Sequence, residues 1–597
     1  MDKIGLSLIA SAMFLATSTG ATAAEPHYQL AFTSFAPMGT GLFLADADGS
    51  NAQPFVPGAG MDFDATFSAD GRWVIFSSSR GGSIDIYRAH PDGSGLARLI
   101  DDPAYDAQPA LSPNGKTLAF VSSRSGNADI WLMDMKSRAV RNLTRNAAGD
   151  FRPAWSPDGK RLAFSTDRDS TKPGFPKGDF VIRHSTEIYV VRADGGGLER
   201  LTHEGEFAGS PAWSPDGKSL VFYTASIEQV AKLTGIRRLG GTTQLVTLEL
   251  ATGKRAVITT GEGEKFTPRW LGGSPARIGY ADAGKSGGIG FTAGPAGARG
   301  IFREPAWSRD GKRLVFQRDA AENWPPHVPM PSRDPRFSLV RVGVFASYSP
   351  DGQRRVSNDQ SGAALHNAII LMNADGSDSH PIFRDEKKNA MGPSWSHDGQ
   401  RIAFSFGQFF QILLGPSLAD IATVDTSGGN LVILTDGKAN YALPSWSPDG
   451  KRIAYRRAGP NGNALEIIDV TTRAQHVLVS GDAHFNQPAW SPNSERIAFM
   501  ADIDGDYELY AIDSDGTHQS RLTNSPGHDA HESWSPDGQW IAFTTGRGGF
   551  KDECPLRQGN PQAYGEIAVM RADGSDVHLL TDNAFEDGTP TWIPGGS

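Results

Sequence analysis

Pro153-Ala154-Trp155-Ser156-Pro157-Asp158-Gly159-Lys160-Arg161-Leu162-Ala163-Phe164 reads as a corner between two strands. Ser-Pro-Asp-Gly has type I turn chemistry: a side-chain acceptor first, Pro setting φ at the second position, and Gly at the fourth. The apolar residues up to Trp155 form a short strand, and Arg161-Leu162-Ala163-Phe164-Ser165 alternates as a half-buried second one. A third, Glu187-Ile188-Tyr189-Val190-Val191, leads to the hairpin dipeptide Asp194-Gly195, and a fourth runs through Arg200-Leu201-Thr202. Four antiparallel strands, A to D, make one blade.

The corner recurs. The aromatic or Leu residue before each copy serves as its anchor: Phe67, Leu111, Trp155, Trp213, Trp270, Trp307, Tyr348, Trp395, Trp446, Trp490, Trp534 and Trp592. The spacing is 44 residues from Phe67 to Leu111, Leu111 to Trp155, Trp446 to Trp490 and Trp490 to Trp534, which suits four-stranded propeller blades. Within each unit the period is two, so helical repeats do not fit.

The ends indicate how the repeats close. The chain opens on what read as strands B, C and D, namely Leu30-Ala31-Phe32-Thr33, Leu42-Phe43-Leu44-Ala45 and Gln53-Pro54-Phe55, and finishes on a lone A strand, Thr589-Pro590-Thr591-Trp592. Shared strands of this kind seal a ring and remove exposed edges. Twelve blades exceed the usual four to eight in one ring, so the expectation is an all-β fold of two six-bladed β-propellers, 24–308 and 309–597. The first completes its sixth blade by joining the N-terminal B-C-D strands to the A strand of Trp307. The second joins the A strand of Trp592 to the strands after Trp307. Two places strain the scheme: Trp270 is followed by Leu271-Gly272-Gly273 rather than a corner, and 337–345 is short for C and D strands, so one blade of the second ring is expected to be incomplete.

The composition agrees. The 597 residues are 39% hydrophobic, with 69 Gly and 38 Pro, as in a turn-rich all-β protein too large for one core. A net charge of −10 argues against general binding to nucleic acid or anionic membranes. Lys3, the apolar run from Ile4 to Thr17, and Ala21-Thr22-Ala23 read as a signal peptide cleaved after Ala23, so a periplasmic or secreted protein with no membrane span is expected. The one cysteine, Cys554, allows no internal disulfide.

The repeat from Pro153 to Phe164 resembles the TolB-like (PD40) repeat of periplasmic propellers. That resemblance implies the blade fold along nearly the whole mature chain. For function it implies only a range, since such propellers serve as protein-binding platforms, as sugar-binding or sugar-cleaving enzymes and as peptidase lids. The peptidase relatives need a hydrolase domain after the propeller, and five residues follow Trp592, so that reading is not expected.

The A-B and C-D corners are short and uniform. The long insertions are all read as B-C loops, 167–186, 225–241, 318–336, 406–420 and 546–565, which puts variable loops on one face of a rigid scaffold. In the second ring two of them, with the D-A loop 583–588, gather Trp324, His327, Arg333, Asp334, Arg336, Lys551, Asp552, Glu553, Tyr564, Glu586 and Asp587. His528, Asp529, His531 and Glu532 point to the same face. Aromatic groups with carboxylates, Arg and His suit recognition of a carbohydrate or a peptide. The alternative is that the charges pair with one another and stiffen the seam.

Three further patterns are read as scaffold. His528-Asp529-Ala530-His531-Glu532 lacks helical metal spacing, and strand A begins within it, so alternate side chains diverge. Asp502-Ile503-Asp504-Gly505-Asp506-Tyr507-Glu508 is rich in oxygen ligands but falls where a B-C turn belongs. Gly279-Tyr280-Ala281-Asp282-Ala283-Gly284-Lys285-Ser286 matches the phosphate-loop pattern yet leads into Ile289-Gly290-Phe291-Thr292, another strand, whereas that mechanism needs a helix. No metal, cofactor or nucleotide is expected. The leading expectation is a non-catalytic double propeller that binds a cell-envelope protein or a glycan through its loop-rich face. The alternative is a polysaccharide lyase or hydrolase at the same face, with Tyr564, His327 and Arg333 as lyase candidates.

Overall fold

The computed structural model describes residues 27–34, 40–58, 60–169, 185–203, 206–226, 242–271, 277–283, 287–319, 327–343, 345–358, 368–408, 418–459, 462–553 and 565–595. It is all-β, with no helix among these residues and so none long and apolar enough to cross a membrane.

The corner has the chemistry read from sequence. Gly159 N donates to Ser156 O at 2.8 Å, with Gly159 at φ 69°. Ser156 Oγ donates to Asp158 Oδ1 at 2.5 Å and accepts from Arg161 N at 2.9 Å, so one hydroxyl ties both ends of the turn. Strand A of that blade, Asp150–Trp155, pairs with Arg161–Thr166, then Glu187–Arg192, then Glu199–Arg200.

The anchor tryptophans join one sheet to the next. Trp155 Nε1 donates to Ala110 O at 2.9 Å and Trp213 Nε1 to Ala154 O at 3.0 Å. In the second half Trp490, Trp534 and Trp592 make the same bond to Ser445, Ala489 and Ser533. A strand-B arginine from the preceding sheet covers the ring: Arg161 lies 4.7 Å from Trp213, and Arg452 lies 4.7 Å from Trp490. Where this bond forms, the Trp satisfies its own N–H while burying apolar area between sheets, whereas the indole N–H groups of Trp270 and Trp446 have no partner among the described residues.

Consecutive sheets share hydrophobic cores. In the first half these run in order from the Phe67 sheet through those of Leu111, Trp155, Trp213 and Trp270 to that of Trp307. Another core, with Leu42, Ala306 and Val315 against Phe67 and Phe76, packs the Trp307 sheet back onto the first. Arg313 lies 5.5 Å over the Phe67 ring in the same place. The second half repeats the order from Tyr348 to Trp592. Its return contact is Ala31, Val340 and Val342 on Tyr348.

Two strand assignments differ from the expectation. Arg313–Asp319 pairs with Arg303–Trp307, which it follows across a five-residue connection, and then with Thr40–Asp46 and Gln53–Phe55. A short hairpin closes at less entropic cost than a remote pairing, so the local strand takes the B place. The N-terminal strand Tyr28–Ser34 therefore leaves the first half. It lies antiparallel to Asp587–Trp592, with Leu30 opposite Trp592, and parallel to Phe337–Val342, with Tyr28 opposite Phe337. Residues Leu30 to Ser34 are all buried, as suits a strand covered on both faces.

The outer strand of that sheet, Val328–Met330, precedes its neighbour in sequence, so 337–345 needs no D strand of its own. The incomplete sheet is that of Trp270, with three strands.

Candidate binding site at the junction of the halves

The third residue before every anchor has positive φ. In the first half these are Asp64, Gln108, Arg152, Ser210, Thr267 and Glu304; in the second, Phe345, Gly392, Leu443, Gln487, His531 and Thr589. In most sheets the strand register shifts at this point, a bulge that re-aims the side chain. In the second half the set is mixed, and Phe345 and Leu443 pack with Met391 and Ala442.

The first-half set is polar and converges on Arg152. Its Nη1 lies 2.8 Å from Asp64 Oδ1 and 2.9 Å from Glu304 Oε2, although the three residues stand on different sheets. Its Nε donates to Asp552 Oδ1 of the second half at 2.9 Å. Burial disfavours the charged guanidinium, but Asp552, Asp64 and Glu304 outweigh it and hold Arg152 firmly protonated. Burial dominates at Asp64 and, against the pull of Arg152, pushes its carboxyl up to about 7.

Residues 550–553 of the second half fill this place. Gln108 Nε2 donates to Lys551 O at 3.1 Å, and Gln108 Oε1 accepts from Arg152 N at 2.7 Å. Glu553 accepts from Ser210 N at 2.8 Å and from the hydroxyls of Ser165 and Ser210. Lys551 Nζ sits between Glu566 and Asp582, 2.5 Å from the latter. Asp582 in turn accepts from Ser123 Oγ at 2.6 Å and Arg333 Nη1 at 2.7 Å. Phe550 and Ala584 pack with Phe63, Tyr105 and Phe151 of the first half. Lys551, Asp552 and Glu553 are thus held by bonds within the chain, to partners outside the cluster read from the sequence.

The other sequence candidates fall into two groups. Asp334 and Arg336 line an outer groove of about 480 Å³ with Arg333, Asp576 and His578. Asp334 lies 2.6 Å from Arg336 Nη2 and 2.9 Å from His578 Nε2. Burial opposes ionisation of Asp334, but bonds from Arg336 and His578 outweigh it and hold the carboxyl at about 2. Because Arg313–Asp319 belongs to the first half, 318–336 is the connection between halves rather than a B-C loop. Arg333 N donates to Leu580 O along the flank of the Trp534 sheet.

The second group lies inside strand A. His528 Nδ1 accepts from Tyr507 N at 3.0 Å, whereas His531, at the bulge, faces Phe345 edge-on at 6.4 Å. Burial pushes His531 down to about 3, so it is neutral, and pushes the Glu532 carboxyl well up. Asp529 accepts from Arg547 at 3.0 Å. That pair is a repeat feature, matching Asp62 with Arg80, Asp106 with Arg124 and Asp150 with Arg168. Asp587 accepts from Asn583 Nδ2 at 2.7 Å and is pushed up to about 7 by burial and by Glu566. His327 and Glu586 are half-buried, and Trp324 and Tyr564 lie outside the described residues.

Asp502 forms a turn in which its carboxylate accepts from His484 N at 2.6 Å. Gly288–Phe291, after the phosphate-loop pattern, is a strand. Among the described residues no three His, Cys, Asp or Glu side chains are grouped to hold a metal ion.

The sequence reading missed Arg152, Asp64, Glu304, Gln108 and Ser210. Their signal is positional: each stands three residues before an anchor, and Gln108, Arg152, Ser210 and Glu304 immediately precede a proline.

The profile of the TolB β-propeller domain, PD40, matches residues 101–222 and 416–553. The Tol-Pal system protein TolB of Francisella tularensis subsp. mediasiatica (strain FSC147) is 28% identical over 122 residues, 20% of this chain. The match spans only about a quarter of that relative, 26% of its length. The structure of a putative TolB from Agrobacterium tumefaciens aligns at a TM-score of 0.36 and 18% identity, over 47% of this chain and 97% of that one. An oligogalacturonate lyase in complex with manganese aligns at a TM-score of 0.23 and 13% identity, over 75% of this chain and 87% of its own. Neither structural likeness bears on function.

Proposed function

We propose that the chain, which carries the PD40 repeat in both halves, is an exported, non-catalytic double propeller of the TolB-like family that binds a protein partner. The strand sets anchored from Phe67 to Trp307 and from Tyr348 to Trp592 are the two six-bladed propellers, 24–308 and 309–597 apart from the exchanged strands Tyr28–Ser34 and Arg313–Asp319, with the Trp395 and Trp446 sets joined through Ala419 and Asn440. Their return contacts, Ala306 and Val315 on Phe67 and Val340 on Tyr348, support ring closure. Residues 1–23 are its signal peptide and the periplasm its compartment.

One observation carries the non-catalytic reading. Asp552 and Glu553, adjacent carboxylates that a glycan-cleaving enzyme could use, are both engaged by Arg152, Ser165 and Ser210 of the first half. While so held, a carboxylate does not flank a glycosidic bond. The open candidates Arg333, Asp334 and Arg336, with His578, supply a groove of mixed charge suited to a protein surface. Capture from a periplasmic extract should be weakened by Arg336→Ala. In parallel, a polysaccharide panel scored for unsaturated products and new reducing ends should stay silent, and turnover on any polymer would overturn the reading.

A further inference from the structure

The contact between halves has the composition of a ligand and its receptor. On the receptor side Arg152 faces one carboxylate, and Ser165 and Ser210 face the next. The backbone takes part: Ser210 N donates to Glu553, and Gln108 holds the peptide carbonyl of Lys551. Both Tyr223 of the same sheet and the Glu553 carboxyl carbon approach Gly209, where a Cβ would come within 2.7 Å of either. The side chains come from four inner strands and are aimed by the bulge residues Gln108, Arg152 and Ser210.

On the ligand side, Asp552 and Glu553 belong to no strand and follow Gly546, Gly548 and Gly549, the last at φ 64°. Lys551 is tied to its own half through Glu566 and Asp582. The dipeptide is therefore a tip on a fixed stem. Arg152 keeps Asp64 and Glu304 as partners when the tip is away, so the receptor charge is not stranded.

We propose that Asp552-Glu553 is a tethered occupant of a carboxylate-pair site on the inner strands of the first half, and that an acidic peptide gains the site when the tether withdraws. The inference rests on the reading of the chain as a binding protein. It adds that the first half is held closed by the chain itself.

The test uses the full-length chain and a fluorescent synthetic peptide with the sequence of residues 549–553. The double variant D552A/E553A should bind the peptide at least tenfold more tightly than the unmodified chain, and adding R152A should abolish that gain. A folded variant that binds no better than the unmodified chain would overturn the proposal. So would loss of the β-sheet circular dichroism signal in both D552A/E553A and the isosteric D552N/E553Q, because the segment would then be an inseparable part of the core. Turnover of a polysaccharide would count against the proposed function and leave the peptide result standing on its own.

Discussion

Arg152 and Asp552 lie 400 positions apart in the chain, yet Arg152 Nε donates to Asp552 Oδ1 at 2.9 Å. The same guanidinium also holds Asp64 and Glu304. Replacing it by an uncharged side chain strands three buried carboxylates. Arg152→Met should cost about 3–5 kcal/mol in urea unfolding followed by tryptophan fluorescence. A loss below about 1 kcal/mol would mean the carboxylates find other compensation.

The indole bond between sheets can be separated from the bulk of the ring. Trp213→Phe keeps an aromatic under Arg161 but leaves the Ala154 carbonyl without its donor. A loss of about 1–2 kcal/mol is expected. Trp213→Ala also opens a cavity and should cost about 3–5 kcal/mol. A Trp213→Phe variant as stable as the wild type would show that the hydrogen bond contributes nothing.

The exchanged strand gives a prediction that separates the halves. Removing mature residues through Ser34 deletes the neighbour of both Asp587–Trp592 and Phe337–Val342. Amide exchange should accelerate in those two strands, while Arg303–Trp307 and Thr40–Asp46 keep their protection. Faster exchange confined to the Trp307 sheet would contradict the strand order.

Asp167 sets a pH dependence. Burial pushes its carboxyl up to about 7 from the ordinary carboxylate value of 3.8, against the bond from Gly149 N. The folded state therefore holds a proton that the unfolded state releases between those values. Its stabilisation is complete below the lower value and is lost as pH rises toward the upper one. Thermal melts from pH 4 to 8 should show the wild type losing stability relative to Asp167→Asn. A constant difference across that range would remove Asp167 as the titrating group.

Much of the fold was legible because its determinants are local. The Ser156-Asp158-Gly159 turn closes on itself through Ser156 Oγ, so every copy announces a corner. The anchor Trp marks strand A because its indole must reach the sheet before it. The site was less legible. Asp529 looked like a binding residue but is the partner of Arg547, a pairing visible only when the same spacing is noticed at Asp62, Asp106 and Asp150. Lys551, Asp552 and Glu553 were recognised as a charged cluster, yet nothing near them in the chain names Arg152, Ser165 or Ser210 as their partners.

Sequence by itself determined the twelve repeats, the four-stranded unit and the resemblance to the TolB-like family, since turn chemistry and period-two patterning act over a few residues. Tertiary structure decided the rest. Tyr28–Ser34 crossed to the other half because a five-residue connection gave Arg313–Asp319 prior claim to the place beside Trp307. The Asp552-Glu553 tip turned inward because a buried guanidinium and two serines of distant sheets met its charge there, a complementarity that exists only once both halves are folded.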